Sequence, residues 1–262
     1  MTYRKVAFEA AQLAGKYLMK RYRKLKRAEI HKKSTHDLVT EADLGANRII
    51  IRTIKKYFPN HDFLSEETGL ENNPDIYEWV IDPLDGTANY VHSIPVFGVS
   101  IGLMKDTDMI IGVVYSPATE ELFWAEKGKG AFLNGKKINV SQQKDFADSM
   151  IATGFPWRSR HLIKPYLESF REILTGSAGV RRMGAAAIDL AYTACGRFEA
   201  FWEIQLKPWD IAAGSLLVKE AGGVVTDFKG GNDLSAGNIV AGSPDIHKHI
   251  VNVTEKYLAD VV

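Results

Sequence analysis

An α+β protein in two halves is what this chain predicts, on three observations. Apolar residues recur at helical spacing near the N-terminus, short strands separated by turn signals run between residues 79 and 125, and helices alternate with strands after residue 160. From Tyr3 to about Arg23, Val6, Ala10, Leu13 and Tyr17 mark one helical face, with Ala14 and Leu18 beside them. A second helix starts near Thr40, which can cap it with Asp43 three residues on; Ile50, Ile54 and Tyr57 give it a buried stripe before Pro59. Strands are expected at Trp79–Ile81, Gly98–Leu103, Ile110–Tyr115 and Glu121–Ala125, with turns at 105–108, 116–119 and Asn134-Gly135, a spacing that suits an antiparallel meander. Beyond them lie helices over 161–175 and 184–195, a strand at Phe198–Glu203 and a helix from Asp210 to Ala221. Strands at Val224–Asp227 and Gly237–Gly242 follow, and Ser243-Pro244 opens a last helix. A seam near residues 141–150 divides the chain into halves 1–145 and 146–262 that share one interface.

The 262 residues are enough for one large core or two packed halves. Lys and Arg number 33 against 32 Asp and Glu, and a net charge of +1 argues against a dedicated nucleic-acid surface. The basic run at residues 20–33 reads as a solvated helix end and loop. No stretch approaches the ~18 apolar residues of a membrane span, and the N-terminus does not read as a signal peptide. Cys195 is the single cysteine, in an apolar helical context, which excludes an intrachain disulfide and makes a reducing cytoplasm the expected location.

The stretch from Trp79 to His92 carries the chemistry. Val80 and Ile81 lead into Asp82-Pro-Leu-Asp85-Gly86-Thr87-Ala-Asn89, so two carboxylates meet on a tight turn where a strand ends. Facing one point they repel each other unless a cation intervenes, and oxygen ligands suit a hard ion such as Mg²⁺. Gly86 and Thr87 offer backbone N–H groups beside them, a setting for a phosphate ester. Taken alone the five residues from Asp82 to Gly86 are fully explained as an ordinary surface turn. The pair Glu66-Glu67 and the distant Trp209-Asp210 favour the metal, although an aspartate where a helix begins is also a plain N-cap.

With Glu66, Asp82, Asp85 and Asp210 taken together, the chain resembles the inositol monophosphatase family of Mg²⁺-dependent, lithium-sensitive phosphatases. The resemblance runs from Asp37-Leu-Val-Thr-Glu-Ala-Asp43 through Gly184-Ala-Ala-Ala-Ile-Asp-Leu-Ala-Tyr192 and Lys207-Pro-Trp-Asp-Ile-Ala-Ala-Gly214 to Glu220-Ala-Gly-Gly223, with a bacterial flavour. It implies a layered α-β-α-β-α sandwich of the sugar-phosphatase type, with an antiparallel sheet in the N-terminal half and a mixed sheet in the C-terminal half. It also implies two or three Mg²⁺ ions: Glu66, Asp82 and the carbonyl of Leu84 on the first, Asp82, Asp85 and Asp210 on the second, and Glu66 with water on a weaker third. Thr87, positioned by Asp43, would orient and deprotonate the attacking water, and the N–H groups of Gly86 and Thr87 would grip the phosphate. Glu203, Asp85, Gly184 and Ala186 match positions around the alcohol, although from the residues alone Glu203 reads as a solvated strand residue.

The chain departs from the pattern at Ala185, where many relatives carry a hydroxyl, at Ser65, which replaces a glycine, and at Ala88, which replaces a threonine. Lys32 matches a lysine near the metal loop of some relatives but is equally a solvated residue of the basic run. His92 follows the metal turn without suiting an oxygen-ligated site. Lys127-Gly-Lys-Gly130 fails as a phosphate loop because neither a helix nor Ser/Thr follows it. Trp124, Trp157 and Trp202 read as core or interface residues.

The leading expectation is hydrolysis of inositol 1-phosphate or a similar polyol phosphate. The rival is fructose-1,6-bisphosphatase, whose second phosphate would call on Arg158, Arg160, Arg181 or Arg182; nucleotide 3′-phosphatase chemistry fits less well. The resemblance further implies inhibition by Li⁺, a homodimer, and an accessory role with transcription antitermination proteins.

Overall fold

Side-chain alternation along the strands divides the interior into three packed cores. The computed structural model describes residues 1–24, 30–34, 37–71, 75–157 and 159–260, with the backbone alone for 30–34, 37, 38 and 71. Arg158 and the side chain of Lys32 lie outside the described residues.

In chain order, helix α1 (Tyr3–Arg21) is followed by the hairpin β1 (Ile30–Ser34) and β2 (Asp37–Thr40) and by helix α2 (Glu41–Lys55). Next come β3 (Asp62–Ser65), β4 (Gly69–Glu71), β5 (Tyr77–Asp85) and the five-residue helix α3 (Thr87–Val91). A meander continues through β6 (Gly98–Lys105), β7 (Asp108–Ser116), β8 (Glu121–Glu126), β9 (Gly130–Leu133) and β10 (Lys136–Ile138). The second half holds β11 (Met150–Thr153), α4 (Ile163–Gly176), β12 (Gly179–Arg181), α5 (Ala186–Ala194) and β13 (Ala200–Glu203). It ends with α6 (Pro208–Glu220), β14 (Val224–Thr226), β15 (Ile239–Gly242) and α7 (Pro244–Leu258).

Eight strands form one sheet in the order β10-β9-β8-β7-β6-β5-β3-β4, antiparallel except where β3 runs parallel to β5. The second sheet, β12-β11-β13-β15-β14, is mixed: β11 pairs in parallel with β12 and β13, and β15 antiparallel with β13 and β14. On β7, Val113 turns to the core under α1 and α2, while Val114 turns to the core around α5 and α6. On β13, Phe201 joins that same middle core and Trp202 faces α4 and α7. This is period-two alternation with both faces covered, and it yields the expected α-β-α-β-α layering. Among the described residues, no helix is long and apolar enough to cross a membrane.

Three local differences from the sequence reading have physical causes. Leu13 is 44% exposed, because Ala7, Ala10, Ala11 and Ala14 centre the buried arc of α1 and leave position 13 at its edge. Asp210 is the third residue of α6 rather than its cap, since Pro208 already occupies the first helical turn. Strand β5 does not stop at Ile81; it runs through Pro83 to Asp85, with its pairing to β6 irregular between Asp82 and Asp85. That irregularity is what turns both aspartates to one side.

Small residues bring α6 onto the eight-stranded sheet. A Cβ on Gly112 of β7 would sit 2.6 Å from the Ala213 carbonyl of α6, so the helix lies directly on the sheet. Ser100 Oγ on β6 donates to the Trp209 carbonyl at 3.3 Å, which seats the start of α6, and hence Asp210, beside the end of β5.

Candidate active site

The end of β5 is held by backbone hydrogen bonds. Asp82 Oδ1 accepts the Leu84 N–H at 2.9 Å, tying the turn to its own first carboxylate. Asp85 accepts three N–H groups from the first turn of α5: Ala186 at 3.1 Å on Oδ1, Ala187 at 2.9 Å and Ile188 at 3.4 Å on Oδ2. Ala185, the N-cap of α5, has no side-chain cap of its own. Asp85 therefore caps this helix from a hundred residues away and makes good the hydroxyl that Ala185 lacks. Asp82 and Asp85 are both buried.

Asp43 is at once structural and aimed at the turn. Its Oδ2 accepts the Thr40 N–H at 2.7 Å and the Thr40 hydroxyl at 2.6 Å, closing the capping box of α2. Its Oδ1 accepts the Thr87 hydroxyl at 2.8 Å, and Thr87 Oγ1 also lies 3.0 Å from the Leu84 carbonyl. Gly86 takes a left-handed conformation (φ +84°), and a Cβ there would come within 3.0 Å of the Val96 carbonyl. This bend starts α3 and turns the Gly86 and Thr87 backbone into the cleft.

That cleft, of about 800 Å³, brings together Glu66, Asp82, Leu84, Asp85, Gly86, Thr87, Gly184, Ala186, Glu203 and Asp210. Asp43 stands behind Thr87 rather than in the wall. Its far side is made by Phe155, Trp157, Arg160, Ile163, Tyr166, Leu167 and Arg182. Arg181 is not among the lining residues, and the exposed His92 ring turns back to the Ala88 carbonyl at 2.8 Å. Ser65 donates to Asn47 Oδ1 at 2.8 Å, locking β3 to α2. Trp202 is buried, Trp124 stacks on Phe132, and Trp157 belongs to the cleft. Cys195 is half-buried against the middle core.

The family model for the "Inositol monophosphatase family" matches residues 2–259. This chain belongs to the inositol monophosphatase family. It is 42% identical over 259 residues to the Escherichia coli (strain K12) protein named Nus factor SuhB, covering 98% of this chain and 97% of that one. It is 40% identical over 256 residues to the Aquifex aeolicus fructose-1,6-bisphosphatase/inositol-1-monophosphatase, covering 98% and 96%. The solved structure of the extragenic suppressor protein suhB from Bartonella henselae superposes with a TM-score of 0.94 at 41% identity, covering 97% of this chain and 98% of that one.

Members of the inositol monophosphatase family are in general metal-dependent phosphatases, and the electrostatics of the cleft fit a cation. Burial, then the charges of Glu66, Asp85 and Asp210, raises Asp82 well above the usual carboxylate range. Asp85 is pushed up to about 7 by burial and by Asp210, against the pull of the α5 N–H groups. Asp43 rises to about 6 through burial, although Thr40 and Thr87 hold it down. Like charges out of water carry this cost until an opposite charge enters. Among the described residues, no three acidic, imidazole or thiol groups stand close enough to form a preformed cage. The fit rests on the donor chemistry and on the mutual repulsion of the carboxylates.

Residues that shape the cleft escaped the sequence reading. Gly154, beneath Glu203, is one: a Cβ there would overlap the Glu203 carboxyl, so this position must lack a side chain for Glu203 to reach the cleft. Tyr166, hydrogen-bonded to Thr153 Oγ1 at 2.9 Å, is another. A signal existed in Gly154-Phe-Pro-Trp, a turn tetrapeptide directly after a strand, but it carries no chemical signature.

Proposed function

We propose that this protein is a Mg²⁺-dependent phosphatase that hydrolyses inositol 1-phosphate or a closely similar polyol phosphate. The observation that carries the reading is the convergence of Glu66, Asp82, Asp85 and Asp210 on one cleft beside Gly86 and Thr87, with two of the four buried. Glu66, Asp82 and the Leu84 carbonyl would hold one ion and Asp82, Asp85 and Asp210 a second, with Glu66 available to a third. Mg²⁺ bound there supplies positive charge to the phosphoryl oxygens and makes a water molecule more acidic.

The chain's own groups do the rest. The Thr87 hydroxyl donates its hydrogen bond to Asp43, which leaves the lone pairs of Oγ1 to accept a hydrogen bond from the attacking water and steer it. The Gly86 and Thr87 N–H groups, at the start of α3, are donors for a phosphoryl oxygen. Water attacks phosphorus and the ester P–O bond breaks; the proton lost by the water balances the one taken up by the leaving oxygen, so the products are the alcohol and inorganic phosphate. Glu203 would accept from a substrate hydroxyl, with Asp85, Gly184 and Ala186 around the same ring.

Phosphate release from inositol 1-phosphate and fructose 1,6-bisphosphate, measured side by side across a Mg²⁺ titration, tests this reading. Cation-dependent turnover that favours inositol 1-phosphate supports it. A preference for the bisphosphate would favour the dual-activity rival, with Arg160 and Arg182 at the far end of the cleft serving the second phosphate. Li⁺ is expected to inhibit at a Mg²⁺ position.

A second reading draws on the relative named Nus factor SuhB: an accessory role in transcription in the cytoplasm, independent of turnover. Capture of transcription proteins by an Asp82→Asn variant as well as by the unmodified protein would support it. A homodimer is also proposed. Light scattering on dilute protein checks it. Residues 1–145 and 146–262 are proposed as two halves joined through the α5–α6 layer.

A further inference from the structure

One side chain of the turn that ends β5 has no part in the reaction as derived above. Asn89 is the third residue of α3, two positions beyond Thr87, and is buried. Its Nδ2 donates to two backbone carbonyls, that of Val96 at 2.8 Å and that of Met183 at 2.8 Å. The flipped carboxamide would set Oδ1 against both carbonyls, so only this orientation satisfies the group. Val96 belongs to the segment between α3 and β6, and Met183 to the loop between β12 and α5. One neutral side chain therefore joins segments 94 residues apart.

Both acceptors stand beside residues of the cleft. A Cβ on Gly86 would come within 3.0 Å of the Val96 carbonyl, 3.1 Å of the Ala185 Cβ and 3.3 Å of the Gly184 carbonyl, so the phosphate turn lies flat against both segments. Gly184 has φ +86°, and a Cβ there would overlap the Arg182 guanidinium and stand 3.1 Å from Asn89 Nδ2. Glycine at 184 leaves room for both side chains. The Asn89 carbonyl adds a further tie by accepting the Ile94 N–H at 2.8 Å. Asp85 also reaches α5, but through a carboxylate that a cation would share; the bonds of Asn89 do not depend on a cation. The phosphate turn has anchors of its own, since Thr87 Oγ1 is held by Asp43 and the Leu84 carbonyl.

We infer that Asn89 is a positioning residue for the substrate's alcohol, holding the loop of Arg182, Met183 and Gly184 at a fixed distance from the phosphate turn. Arg182 and Gly184 line the cleft and Asn89 does not, so it acts through the Met183 carbonyl and not by contact with the ester. Without this clasp the phosphate still meets Gly86 and Thr87. The alcohol then meets a loop with more positions open to it, and binding of the polyol bears the ordering cost. This inference rests on the phosphatase reading above and deepens it.

The test compares Asn89→Ala, Asn89→Ser and Asn89→Asp with the unmodified protein at saturating Mg²⁺, on inositol 1-phosphate and on p-nitrophenyl phosphate, which has no polyol. Alanine removes both bonds. Its kcat/KM for inositol 1-phosphate should fall about tenfold, mainly through KM, while that for p-nitrophenyl phosphate changes by less than about threefold. Serine can serve one carbonyl at most and should fall between alanine and the unmodified protein. Aspartate keeps the shape and loses both donors, so its loss should be at least that of alanine. Equal losses on the two esters, a loss carried by kcat, or an aspartate variant as good as the unmodified protein would overturn the proposal. Amide hydrogen exchange gives a readout independent of turnover. Peptides covering residues 182–187 should exchange faster in the variants, with β6 and β7 unchanged. No change at 182–187, or an equal rise throughout the chain, also overturns the proposal. Failure of the unmodified protein to hydrolyse both esters would instead defeat the phosphatase reading, and this inference with it.

Discussion

The two ends of the cleft are built on different principles. At the phosphate end, every aspartate whose contacts are resolved is fixed by backbone: Asp82 by Leu84, Asp85 by the first turn of α5, Asp43 by the capping box of α2, and Asp210 by the Lys207 N–H at 2.7 Å. At the alcohol end, Phe155, Ile163, Leu167 and Arg182 project from loops and a helix surface and stay largely exposed. Backbone clamping fixes a reaction. Exposed side chains fix a substrate, and they change without disturbing the fold.

The sharpest way to break this contrast is Asp82→Asn. Turnover should fall about 10³-fold or more, because the site loses the carboxylate expected to bridge two cations. The same change should raise the Tm of the cation-free protein by about 2–6 °C, since it removes a buried like charge. Turnover close to that of the unmodified protein would remove Asp82 from the metal site.

Asp43→Asn should lower kcat about 10²-fold with KM for inositol 1-phosphate nearly unchanged, because Thr87 loses its proton acceptor. It should also cost about 1 kcal/mol of stability through the damaged cap of α2, readable by urea titration. At the other end, Arg182→Ala should lower kcat/KM for fructose 1,6-bisphosphate about tenfold more than for inositol 1-phosphate. Equal effects on both esters would show that Arg182 does not distinguish them.

The smallest effects are titrations of opposite sign. Asp85 rises from 3.8 to about 7 on folding, so its contribution to the stability of the cation-free protein is lost as pH rises through about 7. Mg²⁺ should suppress that loss. His247, hydrogen-bonded to Thr226 Oγ1 at 2.9 Å, falls from 6.5 to about 4 through burial. Its contribution is lost as pH falls from about 6.5 toward 4, with or without Mg²⁺. Urea midpoints across pH, in EDTA and in Mg²⁺, separate the two.

The phosphate end was the more legible in sequence for the same reason that it is rigid. Asp82, Asp85, Gly86 and Thr87 are consecutive or nearly so, and Thr40 with Asp43 announces a capped helix. The meander and the later helices were legible from periodicity. What sequence hid depends on long-range packing. The capping of α5 by Asp85 joins residues a hundred apart, and Asp210 looked like a cap because its approach to β5 depends on Gly112 and Ser100 beneath α6. Strands β11 and β12 are short, and nothing local sets them apart from loops. Gly154 matters through Glu203, which only the folded chain brings near.

The most direct measurement is the Tm of the unmodified protein and of Asp82→Asn at pH 8, each with EDTA and with saturating Mg²⁺. A cation bound at a hundred times its Kd adds about 2.7 kcal/mol, so Mg²⁺ should raise the Tm of the unmodified protein clearly. It should leave Asp82→Asn almost unmoved, and in EDTA the variant should be the more stable of the two. If Mg²⁺ shifts neither protein, or both alike, the carboxylates at the end of β5 are not a cation site, and the account of the phosphate end is wrong.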